Sequence, residues 1–329
     1  MFLYSHSLFD TRETWLLDPV EAFAAYVLQS DFAQNKRGEP LALRASSVVV
    51  YRARWGKFVA DCLSPSGKTL ADLPSVELQA FLDRMSPASR HRYVRLLERV
   101  FDHLGGLGLV RQNPARALAI AAPTLSNQGH AGTAVLSAEL QVAFLAALPE
   151  AVNWKRQRDR ALISVILGAG LRVAEAIKLT VDQLGLLQED GSVPLEVFST
   201  GAGRRHRTRV QAFAAAEVLS WRDQRLVLLR PMTEAMVPGR LLFPADGSGR
   251  ALHPATVYRR VASVLKAAGI PESVIVRRGA RTLRNTYAVR ELTAGAPVSL
   301  VGESMGHVND RATQHYLAIA RGAMNGRLG

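Results

Sequence analysis

The feature that most constrains this chain is an apolar stripe of helical spacing. Between residues 88 and 105, Tyr93, Leu96, Leu97, Val100, Phe101 and Leu104 recur at i, i+3 and i+4. That period lines large side chains along one face of an α-helix, and the face must be buried against other helices. The same reading predicts helices over 19–30, which starts with Pro19, over 46–62, which carries Trp55 and Phe58, and over 74–85. Helical patterns return at 213–229 and 254–268, and Ser137 is placed to N-cap another helix. One stretch departs from this period. Residues 192–198 partly alternate, Gly201-Ala202-Gly203 turns the chain, and residues 204–210 return loaded with arginine. That is a β-hairpin pattern. The expected fold class is mainly α with a small antiparallel β-sheet.

A chain of 329 residues, 48% apolar, has room for two cores. The division is expected at residues 121–134, where Pro123, Ser126, Asn127 and Gly129 interrupt the helical patterns. Residues 41–120 then form a helical domain, 135–329 a second domain, and 1–40 an N-terminal extension without a strong motif. The net charge of +13 divides unevenly, with +3 over residues 1–134 and +10 over 135–329. A balance of this size points to a polyanion, with nucleic acid ahead of a membrane surface. Of the 41 basic residues 35 are arginine. The guanidinium fork suits phosphate oxygens, but GC-rich codon usage explains the bias equally well.

Several classes are set aside. No apolar run is long enough to span a bilayer, and the start lacks the pattern of a signal peptide. The expectation is a soluble, cytoplasmic protein. Cys62 is the single cysteine, so neither an internal disulfide nor a cysteine-built zinc site is expected, and the scattered histidines suggest no metal. Gly67-Lys68-Thr69 resembles the end of a P-loop, but Cys62 stands where the earlier glycine is needed. Gly168-Ala169-Gly170 lacks a third glycine, since Val173 holds that place.

A string of residues in the second half carries the chemistry. Arg172 opens a helix after a glycine-broken turn, and Glu175 follows at i+3, where it can hold the guanidinium. Arg281 and Arg284 also stand three apart, and no acidic residue lies between Glu272 and Glu291. Two such cations on one face are better explained by a phosphate between them than by a salt bridge. His307 and Tyr316 come last. A phenol of pKa about 10 is a poor nucleophile. It attacks a phosphodiester only where fixed cations absorb the growing negative charge. In the first half, Arg90, Arg92, Arg95 and Arg99 share one helix, either as a solvated face or as phosphate contacts.

These residues together resemble the tyrosine recombinases of the phage-integrase family. Gly170-Leu171-Arg172 with Glu175 matches the first arginine box, and Arg281-Thr282-Leu283-Arg284 matches the second in part. Met305-Gly306-His307 matches the third element, and Tyr316 lies nine residues beyond that histidine. The resemblance implies a helical, SAM-like core-binding domain and an α+β catalytic domain that together clamp DNA. Tyr316 is then the nucleophile that forms a 3′-phosphotyrosine, and Arg172, Arg284 and His307 hold the nonbridging oxygens, with Arg281 and Glu175 alongside. No cofactor, ATP or metal is implied. The implied partners are double-stranded DNA with paired half-sites, a tetramer of this chain held partly by its C-terminal segment, and an accessory DNA-bending protein. The implied setting is the bacterial nucleoid. A subunit of the same fold that binds DNA without cutting it is the alternative.

Two positions depart from the family pattern. Arg281 stands where histidine is usual, and a guanidinium cannot act as a base near neutral pH. The hairpin lysine that donates a proton to the leaving oxygen is missing, because the turn reads Gly201-Ala202-Gly203 and no lysine occurs between Lys178 and Lys266. Arg204 is the favoured substitute. Arg205 and Arg207 are read as DNA contacts that also lie within reach, and His206 is another candidate donor.

Overall fold

The computed structural model describes residues 9–30, 32–33, 39–40, 42–121, 133–198, 205–229, 240–272 and 279–324. The chain forms two compact units, divided between Gln128 and Gly129.

The first unit is helical. Its helices are Arg12–Leu17, Pro19–Tyr26, Ala45–Phe58, Ser64–Ser66, Ser75–Asp83, Pro87–Gly106 and Arg116–Ala121, with a π-helical turn, Val59–Leu63, continuing the third. Pro19 occupies the first turn, where its missing N–H costs nothing, and the Asp18 carboxylate caps the N–H groups of Val20 and Glu21. The stripe that includes Leu97, Val100, Phe101 and Leu104 is buried as its spacing requires.

Side chains from residues 15–27 and 32–33 join this core rather than forming an extension outside it. Trp15, Phe23, Tyr26 and Phe32 pack with Trp55, Phe58 and Phe101 in one cluster. Trp55 Nε1 donates to the Pro19 carbonyl at 2.6 Å, which fastens the early helices to the third. The buried Asp10 carboxylate accepts from Trp15 Nε1 at 2.7 Å and pairs with His103 Nε2 at 2.9 Å. Sequence motifs do not register this, because the binding force is aromatic burial rather than a pattern.

The second unit is built around the helix Trp154–Ala169, whose last nine residues are all buried. The helices Ala212–Leu229 and Ala280–Thr293 pack against it, and Arg311–Met324 packs on Ala280–Thr293. The hairpin consists of β1 (Val193–Phe198) and β2 (Arg205–Val210), antiparallel with Val193 opposite Val210 and Phe198 opposite Arg205. Together these elements give the expected class, mostly helix with one small antiparallel sheet. Gly170 ends the central helix in the left-handed region at φ +67°, and a Cβ there would collide with the Tyr287 ring. The turn leads through Leu171 straight into Arg172. Among the described residues no helix is long and apolar enough to cross a membrane.

Candidate active site

Four segments of the second unit converge on one pocket. The first is the short helix Val173–Ala176, entered through Arg172. Glu175 is almost fully buried and grips that residue twice. Its Oε2 accepts from the Arg172 backbone N–H at 2.8 Å and its Oε1 from Nη1 at 2.5 Å. The Arg172 side chain remains 41% exposed, so it is held firmly yet open on one side.

The second segment is the helix Ala280–Thr293, which carries Arg284. This guanidinium is buried and spans two other segments, donating to the Gly170 carbonyl at 2.7 Å and the Met305 carbonyl at 2.6 Å. Burial above all, with help from the Arg172 charge, pushes its pKa down to about 10. Its counter-charge is Glu175 Oε2, 3.6 Å away. The sequence offered no acidic neighbour for Arg284, and the fold brings one from more than 100 positions upstream. Arg281 is exposed at the start of the same helix, and among the described residues no hydrogen bond ties it to the pocket.

His307 comes from the third segment, residues 305–324, which also carries Tyr316. A guanidinium N–H can only donate, so His307 Nε2 accepts from Arg284 Nη2 at 3.3 Å. The ring proton then sits on Nδ1 and is donated to Thr313 Oγ1 at 2.8 Å. Burial first, then the charges of Arg284 and Arg172, lowers the His307 pKa to about 4, so the ring is neutral near pH 7. Tyr316, on the helix Arg311–Met324, has its ring nearly parallel to that of His307, with centroids 6.3 Å apart. Its hydroxyl is buried and donates to Asn285 Oδ1 at 2.9 Å. Asn285 is anchored in turn by donation from Nδ2 to the Ala134 carbonyl at 3.1 Å.

The fourth segment is β2. Along it the exposed residues are Arg205, Arg207 and Arg209, while His206, Thr208 and Val210 are turned inward. Arg205 lies over the Phe198 ring, 4.7 Å from its centroid, and Arg207 stands opposite Glu196. Arg204 and the 201–203 turn lie outside the described residues. In the first unit Arg92 is exposed, while Arg90 pairs with Asp83 and Arg95 donates to Glu98 at 2.9 Å.

The fold thus brings Arg172, Glu175, Arg284, His307 and Tyr316 together. It adds Asn285 and Thr313, which the sequence reading did not single out. Asn285 directly follows Arg284, so its place beside the box was the one available signal. Thr313 carried none. Among the described residues no group of three or more His, Cys, Asp or Glu side chains is gathered to hold a metal.

Comparison with known proteins gives this pocket a context. The model of the Phage integrase family matches residues 136–322. The chain belongs to that family. The tyrosine recombinase XerD of Lacticaseibacillus casei is 28% identical over 247 residues, covering 74% of this chain and 78% of the relative. The tyrosine recombinase XerC of Rhodospirillum centenum is 28% identical over 286 residues, covering 82% of this chain and 76% of the relative. Two crystal structures share the fold. A lambda integrase dimer bound to a core site superimposes with a TM-score of 0.64 at 17% identity, covering 95% of this chain and 79% of that one. The XerH recombinase in a post-cleavage complex with its palindromic substrate gives 0.62 at 21% identity, covering 88% and 80%.

Proposed function

We propose that this family member is a site-specific DNA recombinase that cuts and rejoins strands through Tyr316. The observation that carries the reading is the Tyr316 hydroxyl, buried on Asn285 within the pocket that holds Arg172, Arg284 and His307. A phosphodiester in this pocket meets one open guanidinium, one buried guanidinium and an imidazole. Fixed donors of this kind stabilise charge that develops on nonbridging oxygens without reorganising during the reaction. Tyr316 Oη bonds to phosphorus, the bond to the 5′-oxygen breaks, and a 3′-phosphotyrosine conserves the ester energy. Attack by a 5′-hydroxyl from a second duplex then rejoins the strands by way of a Holliday junction. A tetramer on two sites, packed partly through the C-terminal helix, fits this sequence of steps, as does further phosphate contact by the exposed Arg92 and Arg207.

Covalent capture tests the reading. The protein is first allowed to select its site from a pool of random duplexes, and the site is then nicked to trap cleavage. A covalent protein–DNA product is expected, and Tyr316→Phe should abolish it while gel-shift binding persists. Binding by the unaltered protein with no covalent product would mean a subunit that only binds DNA.

A further inference from the structure

The hairpin lysine of the family is missing from this chain, and the return strand of the hairpin carries a histidine. Both ring nitrogens of His206 are buried, and neither has a hydrogen-bond partner among the described residues. Leaving a buried polar group without a partner is costly, so such groups are uncommon unless something else occupies them. The ring lies flat against Gly306, where a Cβ would sit 2.8 Å from Nδ1. The carbonyl of that glycine accepts from Arg172 Nη2 at 3.5 Å, and the carbonyl of the preceding Met305 accepts from Arg284. His206 is therefore inside the cationic pocket.

We propose that His206 donates the proton to the departing 5′-oxygen, in place of the absent lysine. This rests on the recombinase reading above. Strand geometry favours His206 over its neighbours. Side chains alternate along β2, so the pleat that turns His206 toward the pocket turns Arg205 and Arg207 to the outside. Chemistry favours it as well, because an imidazole exchanges protons near neutral pH and a guanidinium does not.

The charges around the ring make its protonation depend on DNA. Arg172, Arg284 and His307 face it together with the carboxylate of Glu175. Burial above all, opposed by Glu175 and reinforced by the Arg284 and Arg172 charges, lowers the pKa of the imidazole and favours its neutral form. A bound phosphodiester adds a negative charge to the same pocket and draws a proton from solvent onto the ring. During cleavage the Tyr316 Oη–P bond forms and the phenolic proton leaves to water. The P–O5′ bond breaks, and its electron pair takes the proton from His206. On rejoining, the incoming 5′-hydroxyl gives its proton to the neutral ring as the O5′–P bond forms, the P–Oη bond breaks, and the Tyr316 oxygen regains its proton from water.

A 5′-bridging phosphorothiolate separates this role from a packing role, because a thiolate departs without protonation. Single-turnover cleavage is measured on the ordinary and sulfur-bridged forms of the selected suicide duplex, with unaltered protein, His206→Asn, His206→Gln, Arg204→Ala and Tyr316→Phe. Both His206 variants are expected to lose about 10²–10⁴-fold on the oxygen substrate and to return within about tenfold of the unaltered protein on the sulfur substrate. The unaltered protein should also slow at high pH on oxygen but not on sulfur. Equal losses on both substrates, or no loss on either, overturns the assignment, as does selective sulfur rescue of Arg204→Ala instead. Absence of any covalent product from the unaltered protein on both substrates overturns the recombinase reading itself.

Discussion

The hydroxyl of Tyr316 donates to the side-chain oxygen of Asn285 at 2.9 Å, and Asn285 is the immediate neighbour of Arg284. An amide oxygen cannot take the phenolic proton away, so Asn285 orients the nucleophile and does not serve as its base. Its own anchor on Ala134 keeps that orientation from drifting. Asn285→Ala leaves a buried hydroxyl without this partner, at a cost of about 1–3 kcal/mol. We expect single-turnover cleavage to fall about ten- to a hundredfold while DNA affinity is unchanged. Cleavage at the full rate would show that the bond has no part in aiming Tyr316.

Glu175 is the counter-charge of two guanidiniums at once. Glu175→Gln keeps its shape and removes the charge, leaving Arg172 and Arg284 facing each other uncompensated. Breaking a buried charge pair costs about 3–5 kcal/mol, and the exposed side of Arg172 places this case at the lower end. A clear fall in Tm is expected. Sulfate should restore more stability to the variant than it adds to the unaltered protein, since the anion supplies the missing charge. Thermal denaturation with and without sulfate measures both, and an unchanged Tm argues against Glu175 as the keystone of the pocket.

Gly306 has two reasons to be glycine. Its φ is +62°, and the His206 ring occupies the space a Cβ would fill. Gly306→Ala therefore combines a backbone penalty of about 1–2 kcal/mol with a collision. In a cycle with His206→Ala, removing the ring should relieve the collision and leave the backbone penalty, giving a coupling of about 1 kcal/mol or more in denaturant unfolding. Simple additivity would place the ring elsewhere.

His307 makes stability depend on acid. Its pKa falls from about 6.5 in the unfolded chain to about 4 in the fold, mainly through burial. Between these values the unfolded chain binds the additional proton. Stability is complete above about pH 6.5 and drains away as pH falls toward 4. Allowing for solvent around a half-buried ring, the loss is about 1–2 kcal/mol. His307→Gln should flatten this part of a Tm-against-pH curve, and an equally steep curve in the variant would assign the acid sensitivity to other groups.

Local pattern made the helices and the hairpin legible, because a period of 3.6 or of 2 is written in consecutive residues. The helix predicted over 88–105 appears as Pro87–Gly106 and the one over 254–268 as Pro254–Ala267. The grip of Glu175 on Arg172 was legible for the same reason, being three residues along one short helix. The early helices were harder to place. Trp15 and Phe23 join the first core through aromatic burial, which leaves no spacing signal in the chain.

By itself the sequence determined the helical class, the basic balance and the order of Arg172, Arg284, His307 and Tyr316 along the chain. Tertiary structure alone decided that Glu175 neutralises Arg284, that Asn285 receives the Tyr316 hydroxyl, and that His206 turns inward beside Gly306. The physical reason is distance along the chain. Charge pairing and side-chain facing depend on which segments packing brings within a few ångströms, and residues 175, 206, 284 and 306 meet only after the helices have buried their apolar faces.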